Sequence, residues 1–346
     1  MMAGVRTVGR LGVATVAGVA AALIWAVSLA IYQPRMEPTG FFTDPTTGEP
    51  YPNLASNNTY WPRDIRQLAI LLAVAAVILI GRARRPAVIA GLVLGGVWFA
   101  ADLWLDRVDV AGNPTASWLA AGGVLGFAAA AAIGARLAAG PSSAGPLNPV
   151  AARLVATAAA VLAAVTLIVQ TPWDEPVTDA AQVRTENALT LLEVILVLAW
   201  AAVAVGLVSL ATARVGRAAL TLAVAVGAAV VLIAFAPLDF YRFFAVAIVG
   251  ALGVAAADLP WGRLFGVLAV LAIAAFPGLF AFYFGGMIVG QAMTSIAADP
   301  AVNAADTDLS YAFGGLLLAA IFAALVELNR HLRPAEPRTT KLFSEA

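Results

Sequence analysis

The sequence predicts an all-α fold: a polytopic bundle of about ten membrane-spanning helices, with a possible 4+4+2 parallel internal repeat. Three observations predict it. Of 346 residues, 62% are hydrophobic and 12% charged, whereas soluble domains run near ~45–50% apolar and about 25% charged. The apolar residues gather into runs of roughly the 20 residues that a bilayer core demands of a helix. The charges fall between those runs rather than within them.

The runs lie near 11–32, 66–81, 87–105, 116–138, 151–170, 188–211, 217–236, 243–258, 264–289 and 310–329. The first follows Arg6 and Arg10 and carries Ser28 and Ala30 near its end, as a secretory signal would. Its apolar stretch exceeds the ~7–15 residues of a signal core, so the reading is a retained helix. Between runs one and two lies a long outer loop, 33–64, rich in Pro, Gly, Asn and Thr; at that length it reads as a folded cap or binding loop. A Pro/Gly/Ser stretch, 140–150, links the first four-helix unit (1–139) to a second (151–260). A terminal helix pair (261–330) and a basic tail (331–346) complete the chain.

Orientation follows from the positive-inside rule. With both termini cytoplasmic, 14 of the 20 basic residues and 4 of the 20 acids face inward. The acids Asp258, Glu327, Glu336 and Glu345 are those four, and only Arg35, Arg63, Arg66, Arg107, Arg184 and Arg242 face outward among the basic residues. The repeat rests on three spans that open alike, at Gly9-Arg10-Leu11, Ala152-Arg153-Leu154 and Gly262-Arg263-Leu264. Four-helix copies would be related by an axis along the membrane normal. Nineteen arginines against one lysine, with abundant Ala, Gly and Val, suggest a GC-rich bacterial genome and so a bacterial cytoplasmic membrane.

Whole classes of chemistry are excluded. The chain has no cysteine and one histidine, His331, so thiolate chemistry, iron–sulfur clusters and two-histidine metal or haem centres have no ligands here. No cofactor, metal site or catalytic residue is predicted. No inner segment is long enough for a nucleotide-binding domain, and no phosphate-binding glycine motif is present. The partners expected are membrane lipids and a protein partner or second copy, with no nucleic acid.

Ionisable residues within spans are functional candidates by default. Glu193 is the deepest acid, and Asp102 and Asp106 lie one turn apart on one helix face. With Asp239 and Arg242, and with Arg63, Arg66, Arg107 and Arg184, they outline a candidate substrate-binding vestibule open to the outer side. The competing reading puts these charges at headgroup level, where such residues are ordinary. A helix break is predicted at Pro277-Gly278, with no matching break in the first or fifth span. The pairs Gly91/Gly95, Gly122/Gly126 and Gly286/Gly290 signal close helix packing. Aromatic residues such as Trp25, Trp61, Trp98, Trp104 and Trp118 read as an interfacial belt.

Three functions are compatible. A permease-like transporter of a small or apolar solute or lipid fits the span number and the broken helix. A non-catalytic subunit or scaffold of an envelope complex fits the small-residue seams and apolar interior. An outward-facing enzyme on a lipid-linked substrate would need acids such as Glu37, Asp44, Glu49 and Asp64 in the first outer loop. Scarce mid-membrane charge disfavours ion coupling within the first of these.

Overall fold

Backbone within a bilayer has no water to bond, so each N–H and C=O must be satisfied along a helix or by protein neighbours. The computed structural model describes residues 2–36, 41–43, 46–52, 57–139, 149–170, 180–211, 240–256, 259–298 and 309–331, with a few positions between 215 and 227. Those residues are overwhelmingly helical, and seven helices are long and apolar enough to cross a membrane. The predicted span 217–236, the linker 140–148, the loop acids Glu37 and Asp44, and the tail beyond His331 lie wholly or largely outside the described residues.

Helix α1 (Met2–Val27) passes through one π turn, Ser28–Tyr32, into the short α2 (Gln33–Met36). The cause is Pro34. Lacking an N–H, it cannot bond the Ala30 carbonyl one turn back. That carbonyl accepts the Gly112 N–H at 2.9 Å instead, while Gln33 N–H reaches back to the Ser28 carbonyl. The break that the sequence reading denied to the first span is therefore present, four residues ahead of the proline that provokes it.

Strands β1 (Phe41–Thr43) and β2 (Pro50–Pro52) form a small antiparallel ribbon with Phe42 opposite Tyr51. Helix α3 (Asn57–Ile80) follows. It begins inside the segment predicted as loop, because Arg63, Asp64 and Arg66 look unsuited to lipid. They never meet lipid: every residue from Thr59 to Ile70 is buried. α3 packs on α1 and α2 and on the four later helices α4 (Arg85–Arg107), α5 (Asn113–Ala139), α6 (Pro149–Thr166) and α7 (Ala180–Ala211). Burial around its whole circumference makes it the axis of the bundle.

The turn Gly81–Arg84 reverses the chain with Arg82 and Ala83 in the left-handed region, at φ 59° and 53°. Their N–H groups cap the last carbonyls of α3, Ala83 to Ile78 at 2.8 Å and Arg82 to Leu79 at 3.1 Å. α4 then buries a stripe of Gly91, Gly95, Trp98, Asp102 and Asp106, spaced by three or four residues, and exposes Leu92, Val93, Val97 and Trp104. Gly91 and Gly95 lie against Val74 of α3, so this predicted seam is a real close approach. Gly122 faces open space, so the Gly122/Gly126 pair does not act as one.

The later helices are α8 (Phe240–Ala256), α9 (Trp261–Phe280), α10 (Gly286–Ala297) and α11 (Ser310–His331). α9 continues straight through the exposed Pro277, and the irregularity falls one turn later, as a π turn at Ala281–Gly285. Phe282 points inward there, and two glycines bring backbones together. Gly314 of α11 sits on the Phe282 carbonyl, and Gly286 sits on the Ser310 carbonyl. A side chain at either position meets backbone that cannot yield. Gly286→Val or Gly314→Val is therefore expected to cost about 1–3 kcal/mol or more, seen as a lowered unfolding temperature in detergent. Gly122→Ala, with nothing within 4 Å of the added methyl, is expected to be neutral or to stabilise by roughly 0.5–1 kcal/mol.

Candidate functional site

At the end of the bundle where α1 meets the start of α3, five helices deliver charged and hydrogen-bonding side chains to one place. α3 supplies Arg63 and Arg66, three residues apart and so on one face. The buried stripe of α4 supplies Asp102 and Asp106. α1 and α2 supply Trp25 and Gln33, and α7 supplies Glu193.

Arg66 is the hub. Its Nε donates to Asp102 Oδ1 at 2.8 Å, Nη1 to Gln33 Oε1 at 2.9 Å, and Nη2 lies 2.7 Å from Asp106 Oδ2. A planar fork with several donors suits this task, since one guanidinium can serve three acceptors on two neighbouring helices. Arg63 Nε lies 3.1 Å from the same Asp106 oxygen, and its guanidinium stands over the Tyr60 ring at 5.2 Å. Trp25 Nε1 donates to Asp102 Oδ1 at 2.7 Å while its ring meets Trp98 edge-on. Beside this lattice, Trp61 Nε1 donates to Glu193 Oε1 at 2.6 Å.

The lattice is sealed. Arg63, Arg66 and Asp102 are 0% exposed, Asp106 3% and Glu193 5%. Two guanidinium groups facing two carboxylates leave the set nearly balanced, which is the condition for tolerating charge away from water. The residues of the vestibule predicted from sequence are thus brought together in part, and these five are closed to solvent. Arg107 and Arg184 are exposed and take no part in the lattice. Asp239 lies outside the described residues, as does the side chain of Arg242, whose backbone belongs to α8. Pro277 is exposed, and Gly278 packs on Leu318 of α11, apart from the lattice.

Sequence reasoning missed the neutral partners. Trp25 and Trp61 were assigned to an interfacial belt, yet both are buried and each holds an acid; Trp104 and Trp118 are the exposed ones. Gln67 was also missed. Its side-chain oxygen accepts the Leu309 N–H at 2.6 Å and so ties the start of α11 to α3. The available signal was the pairing of two arginines one turn apart with two aspartates one turn apart on helices joined by a tight turn.

Two apolar grooves complete the candidate sites. One, of about 640 Å³, reaches the axial helix at Leu71, Val74 and Ile78 and is closed by Leu154, Ala158 and Trp200 with α11 residues from Leu316. At its far end Glu327 is held by Arg153 through two bonds, 2.7 and 3.1 Å. The other, of about 660 Å³, runs between α4 and α5. Among the described residues no group of side chains could hold a metal ion. The fold and site therefore define a multi-helix membrane protein built around a buried ion-pair lattice. Comparison with known protein families, curated proteins and solved structures finds no match.

Removing one partner strands the other charge. Asp102→Ala is expected to destabilise by about 3–5 kcal/mol, read as loss of folded protein on heating in detergent. Replacing the pair together, Arg66→Met with Asp102→Leu, is expected to recover much of that loss, because no unpaired charge remains. Trp61→Phe, which leaves the buried Glu193 Oε1 without its donor, should cost about 1–3 kcal/mol, whereas Glu193→Gln keeps an acceptor for Trp61 Nε1 and should cost less, both read as a change in unfolding temperature in detergent.

Proposed function

We propose that the chain is a membrane carrier for an apolar or amphipathic molecule, with the groove between α3, α6, α7 and α11 as its substrate compartment and the charge lattice as the closed outer gate. The observation that carries this reading is the depth of that groove. It penetrates to the axial helix, is lined almost wholly by Leu, Val and Ala, and contains one ionisable residue already neutralised by Arg153. Such a lining favours hydrocarbon over an ion or a sugar. The lattice joins α1, α3 and α4, so opening it would separate helices on the side opposite the Arg153–Glu327 pair. The arginine count supports placing the Gly81–Arg84 turn and both termini in the cytoplasm of a bacterial cell, and the lattice toward the outer side.

The burial of the lattice favours a second reading, a rigid membrane subunit whose charges only hold helices together. The lipid-linked enzyme gains no such support, since Asp64 is buried in α3.

Reconstituted protein is expected to move an NBD-labelled phosphatidylcholine between leaflets, measured by dithionite quenching. Ala158→Trp or Ala320→Trp, which fill the groove, should cut that rate at least about tenfold, while Arg184→Gln leaves it unchanged. No protein-dependent movement, together with a stoichiometric partner on gentle purification, would replace the carrier by the subunit.

A further inference from the structure

The second groove has a chemistry of its own. It is lined along α4 by Arg85, Pro86, Ile89, Ala90, Val93 and Val97. From Arg85 to Val97 the helix rises roughly 18 Å at 1.5 Å per residue. One leaflet of a hydrocarbon core is about 15 Å deep. The facing wall is α5, with Ala130, Ile133 and Leu137.

Charge is confined to one end. Arg85 lines the groove; Arg82, in the turn three residues before it, and Arg136, the chain neighbour of the lining Leu137 on α5, are both exposed. Segments 81–90 and 130–139, which build this end, contain four arginines and no acid. Arg84 is committed, its guanidinium donating to the Ala138 carbonyl and locking the end of α5 to the turn. Among the described residues, no carboxylate pairs with Arg82, Arg85 or Arg136. This differs from the carrier groove, whose terminal Glu327 already has its arginine.

We propose that the α4–α5 groove is a binding site for an anionic phospholipid, with one acyl chain along Ile89, Val93 and Ile133 and the phosphate-bearing headgroup held by Arg82, Arg85 and Arg136. An acyl chain matches the length and the apolar walls. A negative headgroup matches an unpaired basic cluster at the depth where headgroups lie, and such basic pockets between helices recognise anionic lipids. The site stands apart from the carrier groove and holds whether or not the protein transports anything.

The test is native mass spectrometry of the full chain released from bilayers holding equal amounts of phosphatidylglycerol and phosphatidylcholine. Wild type is expected to retain phosphatidylglycerol preferentially. The double variant Arg85→Gln, Arg136→Gln should weaken that preference by about 30-fold, roughly fivefold for each arginine, with an unchanged unfolding temperature in detergent. Arg184→Gln, an exposed arginine elsewhere, should retain the preference. Equal retention of the two lipids by wild type, or undiminished preference in the double variant, overturns the site. Ala130→Trp, which fills the groove, should also release the lipid; retention there would mean a headgroup held at the surface with no chain in the groove, and would equally overturn it.

Discussion

The contact on which the rest of the molecule depends is the convergence of Arg66 on Asp102, Asp106 and Gln33. A guanidinium without partners is among the most costly groups to place in a membrane. Once two arginines are written into α3, the helix has to be enclosed, and its neighbours have to bring acids to it. α4 does so with a stripe whose glycines at one end admit it close to α3 and whose aspartates at the other meet the arginines. The same stripe therefore solves two problems, backbone approach and charge balance, and α3 becomes the axis rather than one span among many.

The irregular helices follow from a related constraint, the need to fit and satisfy backbone against a close neighbour. Pro34 frees the Ala30 carbonyl, and Gly112 at the start of α5 fills it. That bond fixes the entry of α5 beside the lattice. In the α9–α11 hairpin, Pro277 faces outward, so its lost donor does not disturb the packed side. The π turn arises where Phe282 and Gly286 must fit against Gly314 and Ser310. Both distortions thus lie where a neighbouring helix makes a close contact, about one turn from a proline.

The two grooves divide the remaining surface by chemistry. One reaches the axial helix and is electrically settled by Arg153 and Glu327; the other runs between α4 and α5 and ends at Arg85, with no acid in its lining. Similar volumes would make them equivalent by shape alone. Their terminal charges set them apart: a paired arginine and glutamate at one, an arginine with no carboxylate partner among the described residues at the other.

Much of the fold was legible in the composition. Sixty-two per cent hydrophobic residues in long runs dictated membrane helices, because lipid accepts no other open backbone. The helical spacing of Asp102 and Asp106 placed them on one face, and Glu193 stood out by depth alone. The sequence could not locate α3 correctly, since a run is delimited by where charge begins, and whether that charge meets lipid, water or a counter-charge is settled by neighbours far along the chain. Trp25 and Asp102 are separated by 77 residues, and Trp61 and Glu193 by 132. By itself the sequence determined the solvent, the helical class and the exclusion of thiolate and two-histidine metal chemistry. Only the tertiary structure decided that the charges form a sealed lattice, because pairing energy depends on distances between helices, and those are set by the packing of small residues that look alike in any apolar run.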